Sequence, residues 1–169
     1  LESDFVAGGT DAQYRLKYDA IVSETDLRQT FLPAFSATIR DGDVKSIMCS
    51  CEWMDRTHVH THTRLRSRTR ALLSLCLPDN SVNGIPACGH PMLQTELRDR
   101  DGFDSYVVSD CGAVCWMGPS RGPRNDGHNY TKDDVHSVAL GLTAGTDINC
   151  GNCYTVANVQ AALSPKFSP

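Results

Sequence analysis

The chain has 169 residues, with 16 Lys and Arg against 20 Asp and Glu, a net charge of −4. That balance argues against a nucleic-acid binder and gives no attraction to an anionic membrane. No apolar run approaches the roughly 20 residues of a membrane span, and the length suffices for one ordinary core.

Residues 1–19 read as irregular, with a loop at Gly8-Gly9-Thr10. Ser23 then suits an N-cap, with Asp26 in the capping-box position. Leu27, Phe31, Ala34, Phe35, Thr38 and Ile39 recur at helical spacing, and Gly42 lies just past the end. Pro33 inside this pattern predicts a kink, or a helix that starts again there. Val44–Cys49 follows as a strand. Pro91–Arg98 predicts a short amphipathic helix with Met92, Leu93 and Leu97 inward, and Arg98 to Gly102 its polar exit. Tyr106–Ser109 is a buried β-branched and aromatic strand. Lys132–Leu142 is expected as a helix capped by Thr131, with Val135, Val138, Ala139 and Leu142 as its apolar face. Thr146–Asn149 is expected as a strand and Thr155–Leu163 as a helix. Strands and helices alternating at this rhythm imply a parallel α/β fold with right-handed crossovers.

The strand at 106–109 ends in Asp110, and Gly112 lets the chain turn. Parallel α/β barrels keep their chemistry at the C-terminal ends of strands, which marks Asp110 as a candidate catalytic carboxylate. An Asp in such a place also serves simply to cap a turn. Asp147 is the other carboxylate near a strand end, and it reads as shaping the final strand-to-helix turn.

Eight cysteines are many for an intracellular enzyme of this size and suit disulfides in an oxidising compartment. Cys49 and Cys88 would face each other across the Asn83-Gly84-Ile85-Pro86 turn if the segment between them were short. Cys150-Gly151-Asn152-Cys153 has Cys-x-x-Cys spacing, but Cys111 and Cys115 do not supply a convincing second zinc pair. No metal is expected. Asn129-Tyr130-Thr131 is an N-glycosylation sequon.

Composition changes abruptly after Ser50. Residues 56–70 hold His58, His60 and His62, then Arg64, Arg66, Arg68 and Arg70, at alternating positions. On a strand the three histidines would share a face and could hold a metal. The arginines could meet phosphates, though no aromatic interleaving or nucleic-acid fold accompanies them. A small metal- or nucleic-acid-binding module is therefore the alternative class of function.

The run Gly102-Phe103-Asp104-Ser105-Tyr106-Val107-Val108-Ser109-Asp110-Cys111-Gly112-Ala113-Val114 resembles the nucleophile segment of glycoside hydrolase family 3, in its β-xylosidase/β-glucosidase branch. Other segments resemble that branch in order: Tyr18-Asp19-Ala20, Ser23 to Arg28, Ile47-Met48-Cys49-Ser50, Val82 to Cys88, His128 to Thr131, and Ala144 to Gly151. Together they cover most of residues 12–50 and 80–163. The resemblance implies the C-terminal half of a (β/α)8 TIM-type barrel with an irregular insert, since a whole barrel takes about 250 residues. It implies a retaining, exo-acting hydrolase of oligo- or polysaccharides with terminal β-linked sugars, needing no cofactor. Asp110 matches the nucleophile, and the acid/base is expected outside this chain. It also implies an extracellular setting, secreted or in the cell wall. A non-catalytic remnant of such an enzyme is a further alternative.

Where the family reads Cys-Ser-Tyr-Asn-Ser-Val-Asn-Gly, this chain has residues 51–79 in place of the tyrosine. Cys51-Glu52-Trp53 can be encoded TGT-GAG-TGG, which contains the intron start GTGAGT. Pro78-Asp79 can be encoded CCA-GAC, which contains the terminal AG. Joining the flanking T and AC restores a tyrosine codon. Residues 51–79 are accordingly expected to be largely translated intron, with 1–50 and 80–169 forming the barrel segment.

Overall fold

The computed structural model describes residues 19–49, 73–75 (backbone only), 81–119 and 127–167. The early glycine loop, Tyr18, the His/Arg tract and the rest of the insert apart from 73–75 lie outside the described residues. The strands form two three-stranded sheets. The architecture is α/β with a small parallel sheet, and the described strands do not close into a barrel.

In the first sheet, β1 (Asp19–Ala20) pairs parallel with β4 (Ser81–Val82), which turns back antiparallel into β5 (Ile85–Pro86). The turn is Asn83-Gly84, with φ of 51° and 80°, the left-handed pair a tight hairpin requires. Asp19 Oδ1 accepts the Gly84 N–H at 2.8 Å, tying β1 to that turn.

In the second sheet, β2 (Ser46–Cys49) lies between β3 (Leu73–Leu75) and β6 (Tyr106–Ser109), parallel to both. Ile47 and Val107 are partners in register, and both are fully buried. Leu32, Leu93, Leu97, Val114 and Val138 pack into the same core.

The first helical stretch is interrupted. It runs as α1 (Glu24–Asp26), a π-helical turn (Leu27–Phe31) and α2 (Leu32–Arg40). Ser23 caps it by accepting the Asp26 N–H. Pro33 sits in the first turn of α2, where its missing N–H costs nothing, so the wide turn before it absorbs the break. The second helical stretch, Leu93–Arg100, is π-helical throughout and places Leu93, Glu96 and Leu97 inward.

Three expectations need correction. Helix α4 spans Asp134–Ala144, and its cap is Asp133, not Thr131: the extended Asp133 accepts the His136 N–H at 3.0 Å. Thr131 remains in the preceding turn, hydrogen-bonded to the Ser137 hydroxyl. The buried face of α4 is Ser137, Val138, Gly141 and Ala144, rotated from the expected one. Thr146–Asn149 is not a strand; it meets β6 through one parallel bridge, Val108 to Ile148. The Asp147 side chain takes the Val107 N–H that a main-chain carbonyl would otherwise accept, and this stops the ladder. Between these elements lie α3 (Ala113–Trp116) and, last in the chain, α5 (Val156–Ala162), capped by Thr155.

Candidate active site

Asp110 follows the last residue of β6 and is partly exposed. Its N–H donates to the Cys49 carbonyl at 2.8 Å, so pairing with β2 continues one residue beyond the strand. Its side chain therefore stands at the C-terminal edge of the central strand pair. The Cys111 N–H donates to Asp110 Oδ1. Gly112 adopts φ 91°, which turns the chain sharply into α3.

The neighbouring 148–151 segment encloses this loop. The Ser109 N–H donates to the Ile148 carbonyl at 2.7 Å, and the Gly112 N–H to the Cys150 carbonyl at 2.7 Å. The Ser109 hydroxyl accepts the Cys150 N–H at 3.0 Å and donates to the Asp110 carbonyl at 2.9 Å. These bonds fix the backbone on both sides of the carboxylate.

Three disulfides surround this region. Cys49 on β2 bonds to Cys88, with Cα atoms 5.1 Å apart. Cys111 bonds to Cys150 and Cys115 to Cys153, with Cα separations of 4.3 and 5.4 Å. The last two pairings were not anticipated. Their signal is the near-equal offset, 39 and 38 residues, between two closely spaced cysteine pairs. Cys115, Asp134 and Cys153 bring donor atoms within 4.8 Å of one another, but the two sulfurs are bonded to each other.

Asp147 serves the opposite end of the strand. Its Oδ2 accepts from Arg98 Nη2 and from the Val107 N–H, both at 2.7 Å. Arg98 also donates to the Ser105 and Gly145 carbonyls and lies 5.7 Å from the centre of the Phe103 ring. Val107 and Asp110 are three residues apart, about 10 Å along extended chain. Asp110 and Asp147 are thus not a facing pair. Burial, then the nearby Asp147 charge, hold the Tyr154 phenol well above its ordinary range, and its hydroxyl donates to the Thr146 carbonyl at 2.9 Å.

A second acidic cluster joins α2 to the π-helix. Glu96 receives both terminal nitrogens of Arg28, at 3.1 and 2.9 Å, and also Arg100. The buried Asp101 accepts from Arg100 at 2.8 Å and from the Ser36 hydroxyl at 2.6 Å. Burial alone would raise the Asp101 carboxyl, but these hydrogen bonds and the Arg100 and Arg40 charges bring it below its ordinary value. Asn129, in the sequon, is exposed, with φ 55°.

The geometry described so far is a parallel α/β unit with a carboxylate at the C-terminal edge of adjoining strands. No family model matches the chain, but individual relatives do. A probable exo-1,4-beta-xylosidase of Aspergillus clavatus is 34% identical over 147 residues, covering 83% of this chain and 14% of the relative. A probable beta-D-xylosidase 6 of Arabidopsis thaliana is 32% identical over 149 residues, covering 88% and 14%. A solved family 3 exo-beta-xylosidase in complex with a xylobiose aziridine activity-based probe aligns with TM-score 0.57 at 31% identity, covering 83% and 14%. The chain belongs to glycoside hydrolase family 3, and it spans 14% of the length of these relatives.

Proposed function

We propose that this chain is the nucleophile-bearing part of a retaining, exo-acting β-xylosidase or β-glucosidase, built as the C-terminal half of a (β/α)8 barrel. The observation that carries the reading is Asp110 at the C-terminal edge of β6, continued by its backbone bond to β2. Barrel enzymes assemble their sites at that edge. The names of the relatives support the substrate class, a terminal β-linked sugar of an oligo- or polysaccharide.

In this reading the ionised Asp110 attacks the anomeric carbon as the glycosidic bond breaks. A general acid from outside these 169 residues protonates the departing oxygen. The product of the first step is a glycosyl ester on Asp110, and water then releases the sugar with retained configuration. The Cys111 N–H orients the carboxylate throughout. No metal or organic cofactor enters the chemistry. An extracellular setting fits the three disulfides, which persist in oxidising compartments. Asn129 is then a candidate glycan acceptor.

Trapping tests the assignment. The full-length, correctly spliced protein is incubated with a 2-fluoro β-glycosyl fluoride, digested and analysed by mass spectrometry. The sugar is expected on Asp110, and a label on any other side chain overturns the reading.

Residues 51–79 we read as largely translated intron, with 1–50 and 80–169 as the barrel segment. The backbone pairing of Leu73–Leu75 with β2 is compatible with this, because an open strand edge accepts almost any extended segment. Sequencing of the mature transcript is expected to show a tyrosine codon joining Ser50 to Asn80. A transcript that carries the stretch in every copy refutes it.

A further inference from the structure

The three disulfides differ in their access to solvent and in what they hold. Cys49 and Cys88 are buried, as are Cys115 and Cys153, whereas Cys111 is exposed and Cys150 partly so. The accessible bond is also the one next to Asp110. The Cys111 amide meets the Asp110 carboxylate, so a group that orients it is itself one end of the cross-link. The other end, Cys150, gives its N–H to the Ser109 hydroxyl and its carbonyl to the Gly112 N–H. That hydroxyl in turn holds the Asp110 carbonyl. Covalent bond and hydrogen bonds together close a ring around the Asp110 peptide, between two segments that also meet at the Val108–Ile148 bridge, at Val107 through Asp147 and Ile148, and at the Cys115–Cys153 bond.

We propose that the Cys111–Cys150 disulfide is a positioning element for Asp110, and that it is the bond of the three that an external dithiol opens first. The proposal rests on the reading of Asp110 as nucleophile. A thiolate of the dithiol attacks one protein sulfur, breaking the Cys111–Cys150 bond and forming a mixed disulfide. The second thiol of the reagent then closes on the first and is oxidised with it. The two electrons and two protons end on Cys111 and Cys150 as free thiols. Access of the attacking thiolate controls the rate, so the order of opening follows exposure. Once the tether is open, the carboxylate keeps its place on the strand, and the Cys111 amide that helps to orient it is no longer held.

The first test titrates the native full chain with dithiothreitol, alkylates the free thiols and maps them by mass spectrometry. Cys111 and Cys150 are expected to be labelled at reductant concentrations about tenfold below those needed for the other four. Simultaneous opening of all three bonds, or earlier labelling of a buried pair, overturns the proposal. Hydrogen exchange on the partly reduced chain supplies a second readout. The Cys111, Gly112 and Cys150 amides should exchange about tenfold faster while that of Val107 holds its rate, because local opening is confined to the weakly held segment. Unchanged exchange at those three sites counts against the tether.

The third test uses the full-length enzyme with Cys111→Ser and Cys150→Ser combined. A misdirected nucleophile is expected to lower kcat about tenfold or more while KM moves less than about twofold. Retained Val107 protection excludes misfolding as the cause. An unchanged kcat sinks the positioning role even if the fluorinated sugar still labels Asp110. A label elsewhere sinks the nucleophile reading and leaves the order of disulfide opening standing.

Discussion

The two ends of β6 each engage a carboxylate, but they use it in opposite ways. At the end near Val107, Asp147 is met by a guanidinium and a backbone amide, and the same arginine binds two further carbonyls. At the end after Ser109, Asp110 takes the amide of its own neighbour, and its surroundings are fixed by hydrogen bonds and a disulfide. An ion pair joins elements by spending the charge, and a carboxylate held this way is a poor nucleophile. Backbone bonds and a cross-link fix the direction of the Asp110 peptide. Proximity to a strand end therefore does not by itself tell a catalytic carboxylate from a structural one.

The largest expected effect separates the two ends through activity. In the full-length enzyme, Asp110→Asn should reduce kcat on an aryl β-xyloside or β-glucoside by roughly 10³–10⁴-fold, the scale of losing a nucleophile. Asp147→Asn should leave kcat within about threefold and act on stability instead, since it weakens the Arg98 strut without touching Asp110. Steady-state kinetics beside chemical denaturation measures both. A large fall in kcat for Asp147→Asn with stability intact would erase the contrast between the ends.

That contrast was only half legible in the sequence. Strand β6 could be read because Tyr106, Val107 and Val108 stand together before a turn, and Asp110 because it follows them directly. The role of Asp147 could not, because it depends on Arg98, 49 residues away. The interrupted strand at 146–149 has the same origin: local propensity favours extension, and a side chain competing for the Val107 amide overrides it. The cap of α4 was misplaced by two residues since Thr131 and Asp133 are both good caps, and only backbone geometry chooses. The π-helical character of 93–100 is invisible for a different reason. Inward Leu93 and Leu97, four apart, fit a wide turn and an ordinary helix equally.

A second, smaller effect sharpens the contrast through pH. Asp101 belongs with Asp147 as a carboxylate consumed by cations, and it is more deeply buried. Its folded pKa lies below the unfolded value, so the stabilisation is complete above about pH 4, the ordinary carboxylate range. It is lost as the pH falls further, through the folded value. Asp101→Asn should therefore cost about 2 kcal/mol near pH 7, because the Arg100 and Ser36 bonds weaken. The difference from wild type should shrink steadily in strong acid. Urea melts at a series of pH values read it directly. A difference independent of pH would mean that the ion pair is not what Asp101 contributes.

The smallest effect concerns how α4 packs against the chain that leads into α5. Tyr154 donates to the Thr146 carbonyl, and its hydroxyl oxygen lies 2.9 Å from where a Cβ on Gly141 would stand. Gly141 thus keeps α4 close to the chain that leads into α5, at the usual helix cost of a glycine. Tyr154→Phe should destabilise by about 1 kcal/mol through the lost hydrogen bond. Gly141→Ala alone should gain little or be harmful, since the methyl meets the phenol oxygen. In the Tyr154→Phe background that oxygen is gone, and the same alanine should recover up to about 1 kcal/mol of helix propensity. The two substitutions are therefore expected to be non-additive in the favourable direction. Additive values in a double-mutant cycle would show that the close approach of Tyr154 to α4 does not explain the glycine.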